Sequence, residues 1–170
     1  MSVAPTQHLV LVGMMGAGKS TVARIASERL GRRVLDSDAM IEAATGRTVR
    51  EIFASDGEAA FRAMETQVLL DALADPEPVI IAAAGGVVLS AVNRRALRDS
   101  GAQVVWLCAD PATLLDRVRS GGHRPLLDSD PSGTLQRMFV EREPLYREVA
   151  DVIVSVDNRS ISDVVEAVLR

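Results

Sequence analysis

The chain has 170 residues, 48% of them hydrophobic and 25% charged, which is the composition of one globular domain with a sizeable core. Its 19 lysine and arginine residues and 23 acidic residues give a net charge of −4. The sequence has no cluster of like charge, so its electrostatics do not predict nucleic-acid binding. The single cysteine, Cys108, excludes a disulfide within the chain, and two histidines are too few to predict a zinc site.

The first half of the chain predicts strands that alternate with helices. The continuous apolar run Leu9–Val12 is typical of a strand covered on both faces of a parallel sheet, and an amphipathic helix follows over Thr21–Leu30. A weaker second strand is expected at Arg33–Asp36. A second amphipathic pattern predicts a helix over Glu58–Leu73, before the third strand at Val79–Ala84.

The second half of the chain continues this alternation. Val104–Leu107 predicts a fourth strand, and Asp110 with Pro111 then forms a favourable helix start, because proline suits the first helical position. Val152–Val156 predicts the last strand and residues 160–169 the last helix. Strands alternating with helices predict an α/β fold with a parallel sheet and right-handed crossovers.

One segment, Ser120–Gly133, is rich in glycine and proline and predicts a mobile loop, and long loops in compact domains are often lids. Within it Pro125 biases Arg124 toward an extended backbone. On loop closure the Arg124 guanidinium could then stabilise charge on a transferred phosphoryl group. The alternative is an ordinary surface arginine, which is the commoner case.

Residues 13–20, Gly-Met-Met-Gly-Ala-Gly-Lys-Ser, match the pattern G-x-x-x-x-G-K-[ST] between a predicted strand and a predicted helix. The glycines let backbone amides approach phosphate oxygens, and the helix N-terminus adds to this anion site. Lys19, the only lysine of the chain, supplies a positive charge toward the β- and γ-phosphates, and Ser20 offers a hydroxyl to Mg²⁺. This context disfavours a plain glycine-rich turn and predicts nucleotide binding.

Two further motifs follow predicted strands, at the sheet edge where ligands bind in open parallel sheets. Asp36 and Asp38 are two apart in an expected extended segment, so both could face the phosphates. The alternative is that Asp38 caps a helix starting at Ala39. Gly85 and Gly86 permit close approach of a ligand, although a plain strand-to-loop turn fits them equally well.

Two arginines on predicted helices are candidates for binding an anionic acceptor. Arg62 shares a helix face with Glu65 and Glu58, which on the residues alone is more simply a solvated ion-pair stripe. Arg142 is followed by Pro144, which removes a helical donor and predicts a local break that could aim Arg142 into a cleft. The alternative for Arg142 is a salt bridge on a kinked helix.

Taken together, these motifs resemble those of the shikimate kinase family over nearly the whole chain. The matching segments are Gly13–Ser20, Asp36-Ser37-Asp38, Phe61-Arg62 with Glu65, Gly85-Gly86, Arg124–Leu127, and Arg142 with Pro144-Leu145-Tyr146. The resemblance implies a three-layer P-loop fold of the nucleoside-monophosphate-kinase type. Its five-stranded parallel sheet, in the order 2-3-1-4-5, would be flanked by helices and carry a mobile lid.

The resemblance also implies the reaction and the organisation of the chain. ATP would transfer its γ-phosphate, with Mg²⁺ as cofactor, to the 3-hydroxyl of shikimate, giving shikimate 3-phosphate and ADP for chorismate and aromatic amino acid biosynthesis. Residues 1–170 would form a single kinase domain, with an acceptor-binding region at about 36–65 and a lid at about 120–131. We expect a monomer in the cytoplasm that binds neither nucleic acid nor membrane, since no signal peptide or membrane-spanning run is visible.

Residue roles follow from the same resemblance. The catalytic residues would be Lys19, Asp38 and Arg124, and the metal residues Ser20 and Asp36. Nucleotide would be bound by Gly13, Gly16, Ala17, Gly18, Lys19, Ser20, Thr21, Arg119 and Arg159. The acceptor would be bound by Asp38, Arg62, Gly85, Gly86 and Arg142, with Glu65 holding Arg62 in place.

Two positions depart from the family pattern, and other functions stay open. Ala84 replaces the first of three glycines, and Ile161 stands near the place of a proline on the adenine side. A gluconate kinase or nucleotide kinase is an alternative, although the Arg-Pro-Leu-Leu segment favours shikimate. A catalytically weak P-loop regulator is a third possibility, which retention of Asp36 and Asp38 disfavours.

Overall fold

The computed structural model describes residues 3–120 and 129–170. Its strands are β1 (Leu9–Val12), β2 (Val34–Asp36), β3 (Ile80–Ala82), β4 (Gln103–Cys108) and β5 (Val152–Ser155). They form one five-stranded sheet in the order β2-β3-β1-β4-β5, and every pairing is parallel. The predicted strands and their order are thus confirmed.

Eight α-helices connect the strands within the described ranges. They are α1 (Lys19–Leu30), α2 (Ser37–Thr45), α3 (Val49–Asp56), α4 (Glu58–Leu73), α5 (Ala91–Asp99), α6 (Pro111–Arg119), α7 (Pro131–Val149) and α8 (Ile161–Leu169). A 3₁₀ turn at Val87–Leu89 follows β3. The bounds predicted for α4 agree with the structure, and α6 begins at Pro111 with the Asp110 carboxylate accepting from the Ala112 amide, as expected.

The main core lies along the central strands. All four residues of β1 are fully buried, and β3 and β4 are nearly as well covered, as their continuous apolar sequences predicted. The prediction was wrong for β5, which is an edge strand and leaves Ile153 46% exposed. No helix in the described part of the chain is long and apolar enough to cross a bilayer.

A second, smaller apolar cluster lies apart from the main core. Ile41 of α2, Ile52 of α3 and Phe61 of α4 form its buried centre. α3 begins with a complete capping box, in which Thr48 accepts from the Glu51 amide while the Glu51 carboxylate accepts from the Thr48 amide. This cluster packs α2, α3 and α4 together beside the candidate site.

Two expectations about α7, its start and a break inside it, were wrong. The predicted loop Ser120–Gly133 ends earlier, because α7 begins at Pro131, where the Asp130 carboxylate caps the Gly133 amide. Residues 121–128 of that loop, with Arg124, lie outside the described residues. Pro144 does not break α7, which continues from Pro131 to Val149 although proline removes one helical donor.

Candidate active site

The phosphate loop connects β1 to α1 and leaves the start of that helix open. Gly18 precedes α1 with a φ of 93°, and no side chain caps the first turn. The first amides of α1 can therefore donate to an anion. Gly13 has a φ of 148°, and a side chain there would meet the Leu107 carbonyl oxygen at 2.6 Å, so only glycine lets the loop lie against β4.

Lys19 is folded over this loop. Its Nζ donates to the carbonyl oxygens of Gly13 at 2.6 Å and Met14 at 3.0 Å. These contacts place the ammonium group over the concave side of the loop, where its charge favours an anion. The predicted position of Lys19 in a phosphate cradle therefore fits the geometry.

Asp36 joins the end of β2 to both the phosphate loop and α2. Its Oδ1 accepts from the amides of Asp38 and Ala39 at 3.1 and 3.2 Å, and its Oδ2 accepts from the Ser20 hydroxyl at 2.6 Å. The expected extended segment was wrong, because the helix already starts at Ser37. The alternative prediction, that Asp38 caps the helix, was wrong too. Asp36 caps α2, and Asp38 lies in its first turn.

Next to the phosphate loop lies a cleft, which we call the acceptor cleft. It is lined by Met15, Asp38, Val49, Phe53, Phe61, Arg62, Glu65, Ala84, Gly85, Gly86 and Arg142. A neighbouring cleft, which we call the phosphate cleft, is lined by Met15, Gly16, Gly18, Lys19, Ser20, Thr21, Asp36, Asp38 and the segment Ala82–Gly85. Asp38 lines both clefts and so lies in the wall that they share.

Arg62 is held in a network of carboxylates and is not part of the solvated stripe that residue spacing alone favoured. Its Nη1 donates to Glu65 at 2.6 Å and its Nη2 to Glu58 at 3.1 Å. Glu65 is only 2% exposed. Burial raises the pKa of Glu65, and the attraction of the Arg62 guanidinium offsets this rise only in part. Both carboxylates raise the pKa of Arg62 against the opposing effect of burial, so Arg62 stays charged.

Gly85 and Gly86 form a turn after β3, which we call the second glycine turn, and it lies directly against Arg62. A Cβ built on Gly86 would fall 1.9 Å from Nη1 of Arg62, so any side chain there would displace the guanidinium. Ala84, the departure from the expected three glycines, is 8% exposed and lines both clefts. Ala84 therefore lies in the wall that the two clefts share.

Arg142 reaches the acceptor cleft from α7. Its side chain is 4% exposed, although the helix has no break at Pro144. Arg142 therefore reaches the cleft from within a continuous helix, and the predicted break is not needed to place it there. One turn further along, the Tyr146 hydroxyl donates to the Gly85 carbonyl oxygen at 2.5 Å, and no sequence signal had indicated a role for Tyr146 beyond its place in the motif.

On the opposite side of the phosphate loop, a groove is lined by Gly16, Ala17, Gly18, Thr21, Val22, Arg117, Val156, Arg159, Ile161 and Val164. Sequence reasoning missed Arg117, whose Nη1 donates to the carbonyl oxygens of Gly16 and Ala17, both at 3.3 Å. The location of Arg117 in the last turn of α6, just before the predicted lid, was the sequence signal that could have indicated this contact. Arg159 and Ile161 also line this groove, whereas Arg119 is exposed at the end of α6.

The comparison with protein families decides the relationship of the chain. A family model described as shikimate kinase matches residues 15–170. The chain belongs to the shikimate kinase family. Curated shikimate kinases agree with this over nearly full length. The Symbiobacterium thermophilum enzyme is 47% identical over 166 residues, covering 96% of this chain and 94% of that protein. The Burkholderia lata enzyme is 44% identical, covering 97% and 89%.

Solved shikimate kinase structures share the fold. The Acinetobacter baumannii enzyme in complex with shikimate superimposes with a TM-score of 0.91 at 38% identity, covering 96% of this chain and 90% of that one. The Aquifex aeolicus enzyme superimposes with a TM-score of 0.78 at 28% identity, covering 96% of this chain and 94% of that one. A gluconokinase from Sinorhizobium meliloti gives 0.60 at 22% identity, which shows the common fold alone. The predicted three-layer P-loop fold is thus confirmed for this member of the shikimate kinase family.

Proposed function

We propose that this chain is a shikimate kinase, which transfers the γ-phosphate of ATP to the 3-hydroxyl of shikimate and releases shikimate 3-phosphate and ADP. Its membership of the shikimate kinase family supports the reaction class. The neighbour solved with shikimate supports the acceptor. The observation that carries the proposal is that Asp38 lies in the wall shared by the phosphate cleft and the acceptor cleft.

The phosphate loop binds the triphosphate in this proposal. The amides from Gly13 to Thr21 surround the phosphates, and the Lys19 ammonium leaves the Gly13 and Met14 carbonyl oxygens for the β- and γ-phosphates. The adenosine end lies in the groove beside Arg159. Arg117, which also lines that groove, is a second candidate there besides the predicted Arg119, whose role stays a prediction.

Mg²⁺ fits the pair Ser20 and Asp36. Their side-chain oxygens lie 2.6 Å apart at the edge of the phosphate cleft, and Mg²⁺ prefers hard oxygen ligands. The described part of the chain has no group of three acidic, histidine or cysteine side chains that could bind a metal ion alone. That suits an ion held by one or two protein oxygens, waters and phosphates. When bound, it neutralises charge on the β- and γ-phosphates.

The acceptor is oriented by arginines and activated by Asp38. The guanidinium groups of Arg62 and Arg142 face the same cleft, and their planar donors suit the carboxylate of shikimate. Asp38 accepts the proton of the attacking hydroxyl as that oxygen bonds to the γ-phosphorus and the bond to the bridging oxygen of ADP breaks. Positioning and charge neutralisation thus do most of the catalytic work.

We also retain the proposed organisation of the chain. Residues 1–170 form one kinase domain, and the cluster of Ile41, Ile52 and Phe61 supports an acceptor-binding region at about 36–65. A lid at about 120–131 with Arg124 as a catalytic residue stays a prediction, since residues 121–128 lie outside the described residues. The proposal includes a cytoplasmic monomer that needs no nucleic acid or membrane.

A coupled assay for ADP release tests this function with four acceptor conditions: shikimate, gluconate, nucleoside monophosphates and none. We expect turnover with shikimate and little in the other three, because the acceptor cleft offers two guanidinium groups and an aspartate to one small carboxylated alcohol. The Lys19→Met variant is the inactive control, checked for its fold by circular dichroism. Equal ADP release with and without shikimate would reject the kinase and favour a nucleotide-hydrolysing regulator.

A further inference from the structure

A hydrogen bond joins α7 to the second glycine turn. The hydroxyl of Tyr146 donates to the carbonyl oxygen of Gly85 at 2.5 Å, across 61 positions of sequence. The Tyr146 side chain is 1% exposed and stacks on Trp106, with ring centroids 5.5 Å apart and planes inclined by 19°. The ring therefore has little freedom to move, and the position of its hydroxyl is fixed by packing.

The carbonyl group held by Tyr146 belongs to the peptide that links Gly85 to Gly86. In a trans peptide the carbonyl and the following N–H point in opposite directions, and no cis peptide occurs in the described ranges. The bond from Tyr146 on one side of this peptide therefore directs the Gly86 N–H toward the other. Gly85 and Gly86 both line the acceptor cleft.

The carbonyl groups that follow in the same turn are held by a different helix. The Asn93 side-chain amide donates to the Val87 carbonyl oxygen at 3.0 Å, and Arg94 donates to that of Val88 at 2.8 Å, both from α5. Tyr146 is thus the side chain that orients the first peptide of the turn. Its helix, α7, also carries Arg142 into the cleft one turn earlier.

The surroundings of the hydroxyl keep it a donor. Burial raises the pKa of Tyr146 to about 12, although the nearby Arg142 guanidinium favours the ionised form. The hydroxyl therefore stays protonated throughout the pH range in which a kinase is assayed. Because a carbonyl oxygen can only accept, the direction of the bond is fixed.

We propose that Tyr146 is a positioning residue for the acceptor: its hydroxyl sets the Gly85–Gly86 peptide relative to Arg142, and so places a backbone N–H and a guanidinium at one fixed spacing across the cleft. This inference rests on the proposed function, because the acceptor it serves is shikimate. Tyr146 touches neither reacting atom, and its effect passes through the Gly86 amide and, since Gly86 lies against Arg62, through that guanidinium as well.

The test compares Tyr146→Phe with Trp106→Phe. The first removes the hydroxyl and keeps the ring, whereas the second keeps the hydroxyl and replaces the stacking partner of the ring with a smaller aromatic ring. We expect Tyr146→Phe to raise the KM for shikimate at least about five-fold, with kcat and the KM for MgATP within about two-fold, because the lost interaction acts on acceptor binding. Trp106→Phe should lower the melting temperature and raise the KM for shikimate clearly less than Tyr146→Phe does, because the hydroxyl that bonds to Gly85 is still present.

A second measurement does not depend on turnover. In ¹H–¹⁵N spectra we expect the amide resonance of Gly86 to shift in Tyr146→Phe far more than in Trp106→Phe. An unchanged KM for shikimate in Tyr146→Phe, an equal rise in both variants, or an unshifted Gly86 amide would each overturn the proposal. A wild-type chain that does not phosphorylate shikimate would contradict the proposed function instead, and the amide comparison would still decide about Tyr146.

Discussion

The Ser20 hydroxyl donates to Oδ2 of Asp36 at 2.6 Å, which joins the start of α1 to the end of β2. The other carboxylate oxygen, Oδ1, caps α2. One side chain therefore connects the phosphate loop, the proposed magnesium position and the helix that carries Asp38. Its local role as a cap also fixes its orientation toward the proposed magnesium position.

We predict that Asp36→Asn raises the Mg²⁺ concentration needed for half-maximal rate by about ten-fold or more, because an amide is a poorer ligand than a carboxylate. Asparagine still caps a helix, so the melting temperature should change little. Titration of the rate with Mg²⁺ at fixed ATP measures this. The control is Asp110→Asn, which alters the cap of α6 away from the phosphates. Equal Mg²⁺ dependence in both variants would contradict a metal role for Asp36.

Asp38→Asn should lower kcat by at least about 100-fold, because the amide cannot accept the proton of the attacking hydroxyl. Calorimetry should show nucleotide binding within about two-fold of the wild type, since the phosphate loop is unchanged. If the variant instead kept kcat and only raised the KM for shikimate, Asp38 would be a binding residue and another group would have to take the proton.

Arg62→Lys keeps a positive charge beside Glu65 but loses the planar pair of donors. We expect the KM for shikimate to rise at least about ten-fold, with the KM for MgATP nearly unchanged. Arg24→Lys is the matched control, because Arg24 pairs with Glu28 on the exposed surface of α1. A comparable rise of both KM values in Arg62→Lys would place Arg62 outside the acceptor site.

Most of the fold could be predicted from the sequence because its signals are local. The limits of α4 follow from a regular apolar stripe that starts after Gly57, and the phosphate loop is a contiguous pattern between a strand and a helix. Helix α2 was foreseen only as an alternative, with a start at Ala39. The helices α3 and α5 were missed, although α5 is amphipathic and its start is capped by Ser90, which accepts from the Asn93 amide. The Thr48 and Glu51 capping box was a readable signal for α3.

The candidate site was harder to predict where its contacts join distant segments. Pairing of Arg62 with Glu65 follows from helical spacing, but burial of Glu65 depends on how α4 packs against the rest of the domain. The contacts of Arg117 with Gly16 and of Tyr146 with Gly85 cross 101 and 61 positions. Such contacts are set by tertiary packing, which periodicity and spacing do not describe.

The acid stability of the acceptor region provides a last prediction. Arg47 donates two hydrogen bonds to the Asp56 carboxylate, at 3.0 and 2.8 Å, and so bridges the two ends of α3, which carries Val49 and Phe53 to the cleft. The side-chain hydrogen bonds from Arg47 and then Ser55 lower the pKa of Asp56 from 3.8 to about 2. A carboxyl whose pKa is lower in the folded state stabilises the protein at any pH above its unfolded-state pKa. That contribution is lost as the pH falls through the folded-state pKa.

We therefore expect Asp56→Asn to be less stable than the wild type at about pH 5, with a difference that shrinks steadily as the pH falls from about 4 toward 2. Urea unfolding at about pH 5, 4 and 3 measures the free energies. The control is the same substitution in an Arg47→Gln background, where the carboxylate has lost its main partner and the pH dependence of the difference should largely disappear. A difference that stays constant with pH, or grows in acid, would show that the ion pair does not brace α3.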